Sequence, residues 1–133
     1  MKIYLKSIFF ICTILFCVSC GHERVGCNGE ILVEHPIPDT TIYLNGEPYR
    51  RDIFESPVVF KHTGDIPFSI TVTSNDHGMI VEANNKINKE TGKASIVEVI
   101  PKKEGNTAVN ILVDDGCGGL EYSFNVSVLD TSK

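Results

Sequence analysis

The stretch VDDGCGGLEYSFNVSVL, residues 113–129, decides the fold class. In its second half, apolar side chains at positions 120, 122, 124, 126 and 128 alternate strictly with polar ones. This period of two predicts a β-strand with one face in a hydrophobic core and the other in water. The glycine-rich residues 116–119 before it predict the tight turn of a hairpin.

The same period recurs along most of the chain. Three further alternating sets predict inward-facing side chains: Phe68, Ile70 and Val72; Val109, Ile111 and Val113; and Val58 with Phe60. In another predicted strand, the charge of Glu98 indicates which side chains point inward. An unpaired buried carboxylate is costly, so Val97 and Val99 should point inward.

Turn-forming residues separate these segments, as at 45–46, 63–65, 75–78, 84–85 and 91–92. No segment shows a helical period of sufficient length. About seven short strands in roughly a hundred residues predict an all-β fold, an antiparallel β-sandwich, with a β-barrel as the alternative.

The N-terminus has the layout of an export signal. Lys2 and Lys6 precede an apolar run, residues 8–18, that is too short to span a bilayer, and small residues follow it. The sequence Val18-Ser19-Cys20 resembles the lipobox of bacterial lipoproteins, although Cys17 stands where that family usually has leucine.

This resemblance implies that residues 1–19 are a lipoprotein signal peptide. It also implies that Cys20 is lipidated, with palmitate-type acyl chains, and that residues 20–29 form the lipidated N-terminus and a short tether. Two or three acyl chains would hold the protein firmly on a bacterial envelope membrane, the outer membrane or the cell surface. An ordinary secretion signal or an uncleaved N-terminal anchor is the alternative.

Removal of residues 1–19 leaves 114 of the 133 residues, enough for one domain with a substantial core. The removed segment contains two lysines and no acidic residue. Ten basic residues then face seventeen acidic ones, and the net charge is −7. Nucleic acid and anionic lipid headgroups are therefore poor partners, because their binding needs a basic surface.

Two of the five cysteines would leave with the signal peptide and Cys20 would carry lipid, so Cys27 and Cys117 remain. A single pair in an exported protein predicts a disulfide. Two free thiols are the alternative, because spacing alone does not establish proximity.

From residue 40 to residue 129 the chain resembles the Ig-like and cadherin-like repeats of bacterial surface and adhesion proteins. The resemblance is carried by the segments 58–60, 69–75, 97–101, 105–111 and 113–116. It implies an Ig-like sandwich over residues 30–133. In such a sandwich the chain enters at the end that carries the last hairpin, which would bring Cys27 and Cys117 together. The segment 21–26 spans only about 20 Å when extended, so this end should face the membrane.

Three carboxylates, those of Asp65, Asp114 and Asp115, are expected at the bridged end and could bind Ca²⁺, which takes six to eight oxygen ligands. Calcium-binding cadherin-like repeats have an acidic pair in the earlier loop, of which this chain keeps only Asp65. The alternative is that Asp114 and Asp115 are solvated turn residues. We expect His62 to be a surface histidine near a turn.

An aromatic and cationic patch for partner binding is predicted at Tyr49, Arg50 and Arg51, with Lys102 and Lys103 in a loop at the outward end. A loop that covers a sheet edge is the alternative. No catalytic motif is present, so the chain is not expected to be an enzyme, and no cofactor other than calcium is implied.

These observations predict a non-catalytic, lipid-anchored envelope module that binds a protein or glycan partner in adhesion or in a surface assembly. An inhibitor or immunity-type lipoprotein that blocks an enzyme or toxin is the alternative. A structural spacer is the third possibility.

Overall fold

The computed structural model describes residues 27–64 and 66–132. These residues form nine β-strands and no helix. The strands are β1 (Ile31–Val33), β2 (Thr40–Tyr43), β3 (Tyr49–Asp52), β4 (Phe60–His62), β5 (Ser69–Ser74), β6 (Val81–Lys86), β7 (Ile96–Pro101), β8 (Gly105–Asp114) and β9 (Gly119–Leu129). Within the described ranges, no helix is long and apolar enough to cross a membrane.

The strands build an Ig-like antiparallel β-sandwich, which confirms the predicted fold class. One sheet has the order β2-β9-β8-β5 and another the order β3-β7-β6, while β1 and β4 form a small third sheet. All pairs are antiparallel except the parallel pair of β2 with β9. The described strands number nine rather than about seven because β1 and β4 are short and pair only with each other.

The core lies between the two larger sheets and follows the predicted alternation. The buried side chains of β8 and β9 are Val109, Ile111, Val113, Phe124, Val126 and Val128. Tyr122 packs edge-on against Phe60 with ring centroids 5.5 Å apart, and its hydroxyl donates to the Ile37 carbonyl at 3.0 Å. Burial of each large apolar side chain contributes about 1.5–3 kcal/mol, so these contacts fix the register of the larger sheet.

The predicted alternation of Val58 with Phe60 is wrong in part. Residues 53–59 form an irregular bend between β3 and β4 that contains a cis Ser56–Pro57 peptide bond. Val59 is 1% exposed, as is Phe60, whereas Val58 is half-buried. A bend does not alternate sides as a regular strand does, so two consecutive side chains enter the core.

The predicted turn at Asn84 and Asn85 is also wrong, because both residues lie within β6. Asn84 points outward and donates to Glu82 at 3.0 Å. Asn85 points inward and its Nδ2 donates to the Ile70 carbonyl of β5 at 2.9 Å. Pairing with β7 over six residues outweighs the local turn preference of asparagine.

Glu98 has the expected parity, since Val97 and Val99 are fully buried on the opposite side of β7. Glu98 itself is nevertheless only 5% exposed. The carboxylate is not unpaired, because Arg50 Nε lies 2.8 Å away and Lys86 Nζ lies 3.9 Å away on the two neighbouring strands. Ion pairing on the outer face of the three-stranded sheet makes this burial tolerable.

Candidate functional site

The outer face of the four-stranded sheet carries a depression with a volume of about 610 Å³, lined by strands β5, β8 and β9. We call it the β5–β8–β9 depression. Ile111 and Tyr122 line it only from the core side, because their side chains point inward. The outward-facing side chains that define it are Thr71, Thr73, Asn75, Asn110, Leu112, Glu121 and Ser123. All except Leu112 are polar, and all except Glu121 are uncharged.

The strand register arranges these side chains in rows. Thr71, Leu112 and Glu121 form one row across the three strands, and Thr73, Asn110 and Ser123 form the next. Alternation places all six on the side opposite the core. Three strands at about 4.8 Å spacing and rows about 7 Å apart give a surface of roughly 10 Å by 7 Å, which Asn75 extends at one end.

The polar side chains of the depression have no partners in the part of the chain that the structure describes. Among the described residues, none of the six polar side chains forms a hydrogen bond or an ion pair with another side chain or with the backbone. Leu112 adds an apolar surface that is 42% exposed. The depression therefore presents donors and acceptors that water or a ligand must satisfy.

The outer face of the three-stranded sheet differs in this respect. Its charged side chains neutralise one another: Arg50 and Lys86 flank Glu98, and Lys102 Nζ lies 3.1 Å from Glu82. These groups already have partners, and a ligand would have to compete with them. The two outer faces thus offer opposite chemistry to a binding partner.

The residues predicted for partner binding are not brought into one patch. Tyr49 is half-buried with its ring 6.0 Å from that of Phe124, and burial raises the pKa of its phenol. Arg51 donates to the Pro57 carbonyl across the bend. Lys103 is exposed in the loop after β7, so the five side chains have different surroundings.

At the end of the sandwich where β8 turns into β9, a disulfide joins Cys27 to Cys117, with 5.6 Å between the Cα atoms. The segment that precedes β1 is thereby attached to the last hairpin. The resemblance to Ig-like repeats implied this proximity, because the chain of such a sandwich enters at the end that carries the last hairpin.

His62 is a core residue, and the prediction of a surface histidine is wrong. Its side chain is 2% exposed, and its Nε2 lies 2.9 Å from Asp115 Oδ2. The Gly64 N–H donates to its Nδ1 at 2.9 Å, so Nε2 carries the hydrogen that bonds to the carboxylate. The period of two gave a signal, because His62 shares a face with the buried Phe60.

Asp115 is the acceptor that organises this hairpin. Its Oδ1 accepts the N–H groups of Cys117 and Gly118, both at 2.8 Å, while its Oδ2 faces His62. The backbone N–H of Cys117, followed by the hydrogen bond from His62, lowers the pKa of the Asp115 carboxyl. Asp115 is therefore not a freely solvated turn residue.

Two of the three expected calcium ligands, Asp114 and Asp115, lie within the described residues and accept hydrogen bonds from the hairpin. Asp114 is exposed and accepts the Gly116 N–H at 2.7 Å, whereas Asp115 is committed to the contacts above. Asp65 lies outside the described residues. Across residues 27–64 and 66–132, no group of three or more His, Cys, Asp or Glu side chains is arranged to hold a metal ion. The signal peptide and the lipidated Cys20 also lie outside the described residues.

A second cavity of about 420 Å³ lies between the edges of β5 and β6 and is mostly apolar. The rings of Phe54 and Phe68 pack in it with centroids 5.1 Å apart, and Lys93 Nζ lies 5.5 Å from the Phe54 ring centroid. The buried Oδ1 of Asn85 beside it has no hydrogen-bond partner among the described residues.

Comparison with solved structures shows similarity of fold. An endo-fucoidan hydrolase of glycoside hydrolase family 107 matches with a TM-score of 0.55 and 14% identity over 84% of this chain, which is 15% of that enzyme. A PKD domain of the KIAA 1837 protein matches with a TM-score of 0.49 and 17% identity over 84% of this chain and 96% of the domain. Domains 4 and 5 of the S-layer protein SbsC match with a TM-score of 0.49 and 16% identity, covering 77% of this chain and 47% of that one. No protein-family model and no curated protein matches the sequence.

Proposed function

We propose that the chain is a non-catalytic, lipid-anchored module of the bacterial cell envelope that binds a partner through the β5–β8–β9 depression. The observation that carries this proposal is the set of six polar side chains there with no partners among the described residues. Polar side chains that face only water would also suit a structural spacer, so substitution of these side chains is the test that separates a binding module from a spacer. The outer face of the other sheet, where charges neutralise one another, serves as the internal comparison.

Anchoring through Cys20 is the second part of the proposal. It is supported by the lipobox-like sequence before Cys20 and by the disulfide, since such bonds persist in oxidising compartments outside the cytoplasm. Exchange of Cys20 for serine should release the protein from membranes into the soluble fraction. Retention of the Cys20→Ser variant on membranes that resist a high-salt wash would contradict lipid anchoring.

Capture of partners from an envelope extract by the 20–133 form tests the binding role. We expect a reproducible partner that is lost on the double substitution Asn110→Ala and Glu121→Ala. Asn106→Ala is a matched control, because Asn106 also projects outward from β8 but lies outside the depression. Capture that survives the double substitution would refute the assignment of the site.

The identity of the captured partner separates the remaining functions. A glycan or several components of a surface assembly would support adhesion. One tightly bound enzyme or toxin would instead favour an inhibitor or immunity-type lipoprotein. Failure to capture any partner reproducibly would favour the structural spacer.

A further inference from the structure

We propose that the ligand of the β5–β8–β9 depression is a neutral, hydroxyl-rich oligosaccharide. This inference rests on the proposed binding function of the same depression and names the chemistry of its ligand. It starts from the kind of groups that line the surface, namely three hydroxyls, two amides, one carboxylate and one aliphatic side chain.

Hydroxyls and amides can each donate and accept a hydrogen bond, which matches sugar hydroxyls, since these also do both. The carboxylate of Glu121 accepts only, and its two oxygens can receive two neighbouring sugar hydroxyls. The exposed side of Leu112 and the methyl groups of Thr71 and Thr73 provide apolar surface for the C–H face of a sugar ring. Every lining side chain therefore has a complementary group on the ligand.

The same surface suits other ligands poorly. Energetic centres of protein interfaces are rich in Trp, Tyr and Arg. None of the seven outward-facing side chains is of these types, and the ring of Tyr122 packs against Phe60 on the core side. Anionic polymers need cations, whereas these seven include no Lys or Arg and do include Glu121. An apolar ligand would leave six polar side chains desolvated without partners. A neutral polyhydroxyl chain avoids all three costs.

The dimensions of the surface favour a short chain over a single small ion. The rows extend roughly 10 Å across the strands and about 7 Å or more along them, and the volume is about 610 Å³. All of these polar groups are solvated in the free protein, so each new hydrogen bond gives only a modest net gain. We therefore expect weak binding, with dissociation constants between high micromolar and millimolar.

Titration of the ¹⁵N-labelled 20–133 protein with cellohexaose, mannohexaose and chitohexaose tests the inference by NMR. At least one of these neutral probes should shift the amide signals of the two rows, residues 71–73, 110–112 and 121–123. Hexagalacturonate, an anionic probe of similar length, should bind more weakly. The substitution Glu121→Gln should weaken binding of the neutral probe about tenfold and reduce the difference in affinity between the neutral and the anionic probe.

Asn110→Ala should weaken binding severalfold, and Asn106→Ala should leave it unchanged. All three positions are on the surface, and unchanged dispersion of the NMR spectrum checks that the variants fold. Absence of shifts with all three neutral probes, or equal losses for Asn110→Ala and Asn106→Ala, would overturn the inference. A partner protein that is lost on Asn110→Ala while the sugars fail to bind would keep the proposed binding function and reject only the glycan.

Discussion

Removal of the disulfide by the double substitution Cys27→Ser and Cys117→Ser should lower the free energy of unfolding by about 4.5 kcal/mol. The bridge closes a loop with a sequence separation of 90, and in the chain-entropy model a loop of that length gives this value. At about 4–8 °C per kcal/mol for a domain of this size, the midpoint of thermal unfolding should fall by roughly 20–35 °C.

The folded state should survive this change, because other contacts hold the same segment in place. The Glu30 N–H donates to Thr63 Oγ1 at 2.9 Å, and the Thr63 N–H donates to the Glu30 carbonyl at 3.0 Å. His62 and Asp115 connect β4 to the hairpin independently of the sulfur atoms. The loss should therefore arise mainly in the unfolded chain, which gains freedom.

Urea unfolding followed by far-UV circular dichroism measures the loss, since the chain contains no tryptophan to report by fluorescence. The wild type in excess reductant should unfold at the same urea concentration as the double variant. A loss below about 1 kcal/mol, or a reduced wild type that keeps its midpoint, would refute the reasoning from loop closure.

Three further predictions concern single positions. Gly64→Ala should lower the free energy of unfolding by about 1–3 kcal/mol, because the added Cβ would overlap a backbone carbonyl of the tether segment. Gly118→Ala should be neutral, because there is open space around that position. Equal effects of the two substitutions in a melting assay would contradict this. Arg50→Met should lower the free energy of unfolding by about 2 kcal/mol, because it leaves the Glu98 carboxylate poorly paired. The further substitution Glu98→Leu should recover most of this stability. A double variant no more stable than Arg50→Met would contradict the ion-pair explanation. Neighbouring N–H groups lower the pKa of the Asp115 carboxyl, so its ionised form stabilises the fold above about pH 4, and this contribution is lost as the pH falls through the lowered pKa. Acidification should therefore destabilise the wild type more steeply than the Asp115→Asn variant. Parallel pH profiles of stability for the two proteins would contradict this.

Much of the fold followed from local pattern. The alternation in residues 120–128 fixed which side chains of β9 enter the core, and the structure buries Phe124, Val126 and Val128 accordingly. The pattern failed at residues 53–59 and at Asn84 and Asn85. In the first case the backbone is not extended, and in the second the pairing of whole strands outweighed a local turn preference.

The candidate site could be predicted from the sequence only in small part. Thr71, Thr73, Glu121 and Ser123 were predicted to face water, but the prediction did not group them with one another or with Asn110. Rows across a sheet depend on strand order and register. β8 and β9 form a hairpin, but β5 joins β8 through pairings between residues far apart in sequence, which the local pattern does not show. His62 was misread for a related reason, because its partner Asp115 is 53 positions away.

The sequence by itself determined the positions and the buried faces of β5, β7, β8 and β9, because these depend on side-chain period. The pair of Cys27 and Cys117 followed from counting once the lipobox resemblance had set the other three cysteines aside. Only the tertiary structure decided which polar groups have partners. Glu98, His62 and Asp115 find theirs on neighbouring elements, whereas the depression's polar side chains find none among the described residues. The physical reason is that a hydrogen bond or ion pair requires contact within about 4 Å, and the contacts of Glu98 with Arg50 and of His62 with Asp115 join residues far apart in sequence, which only the fold brings together.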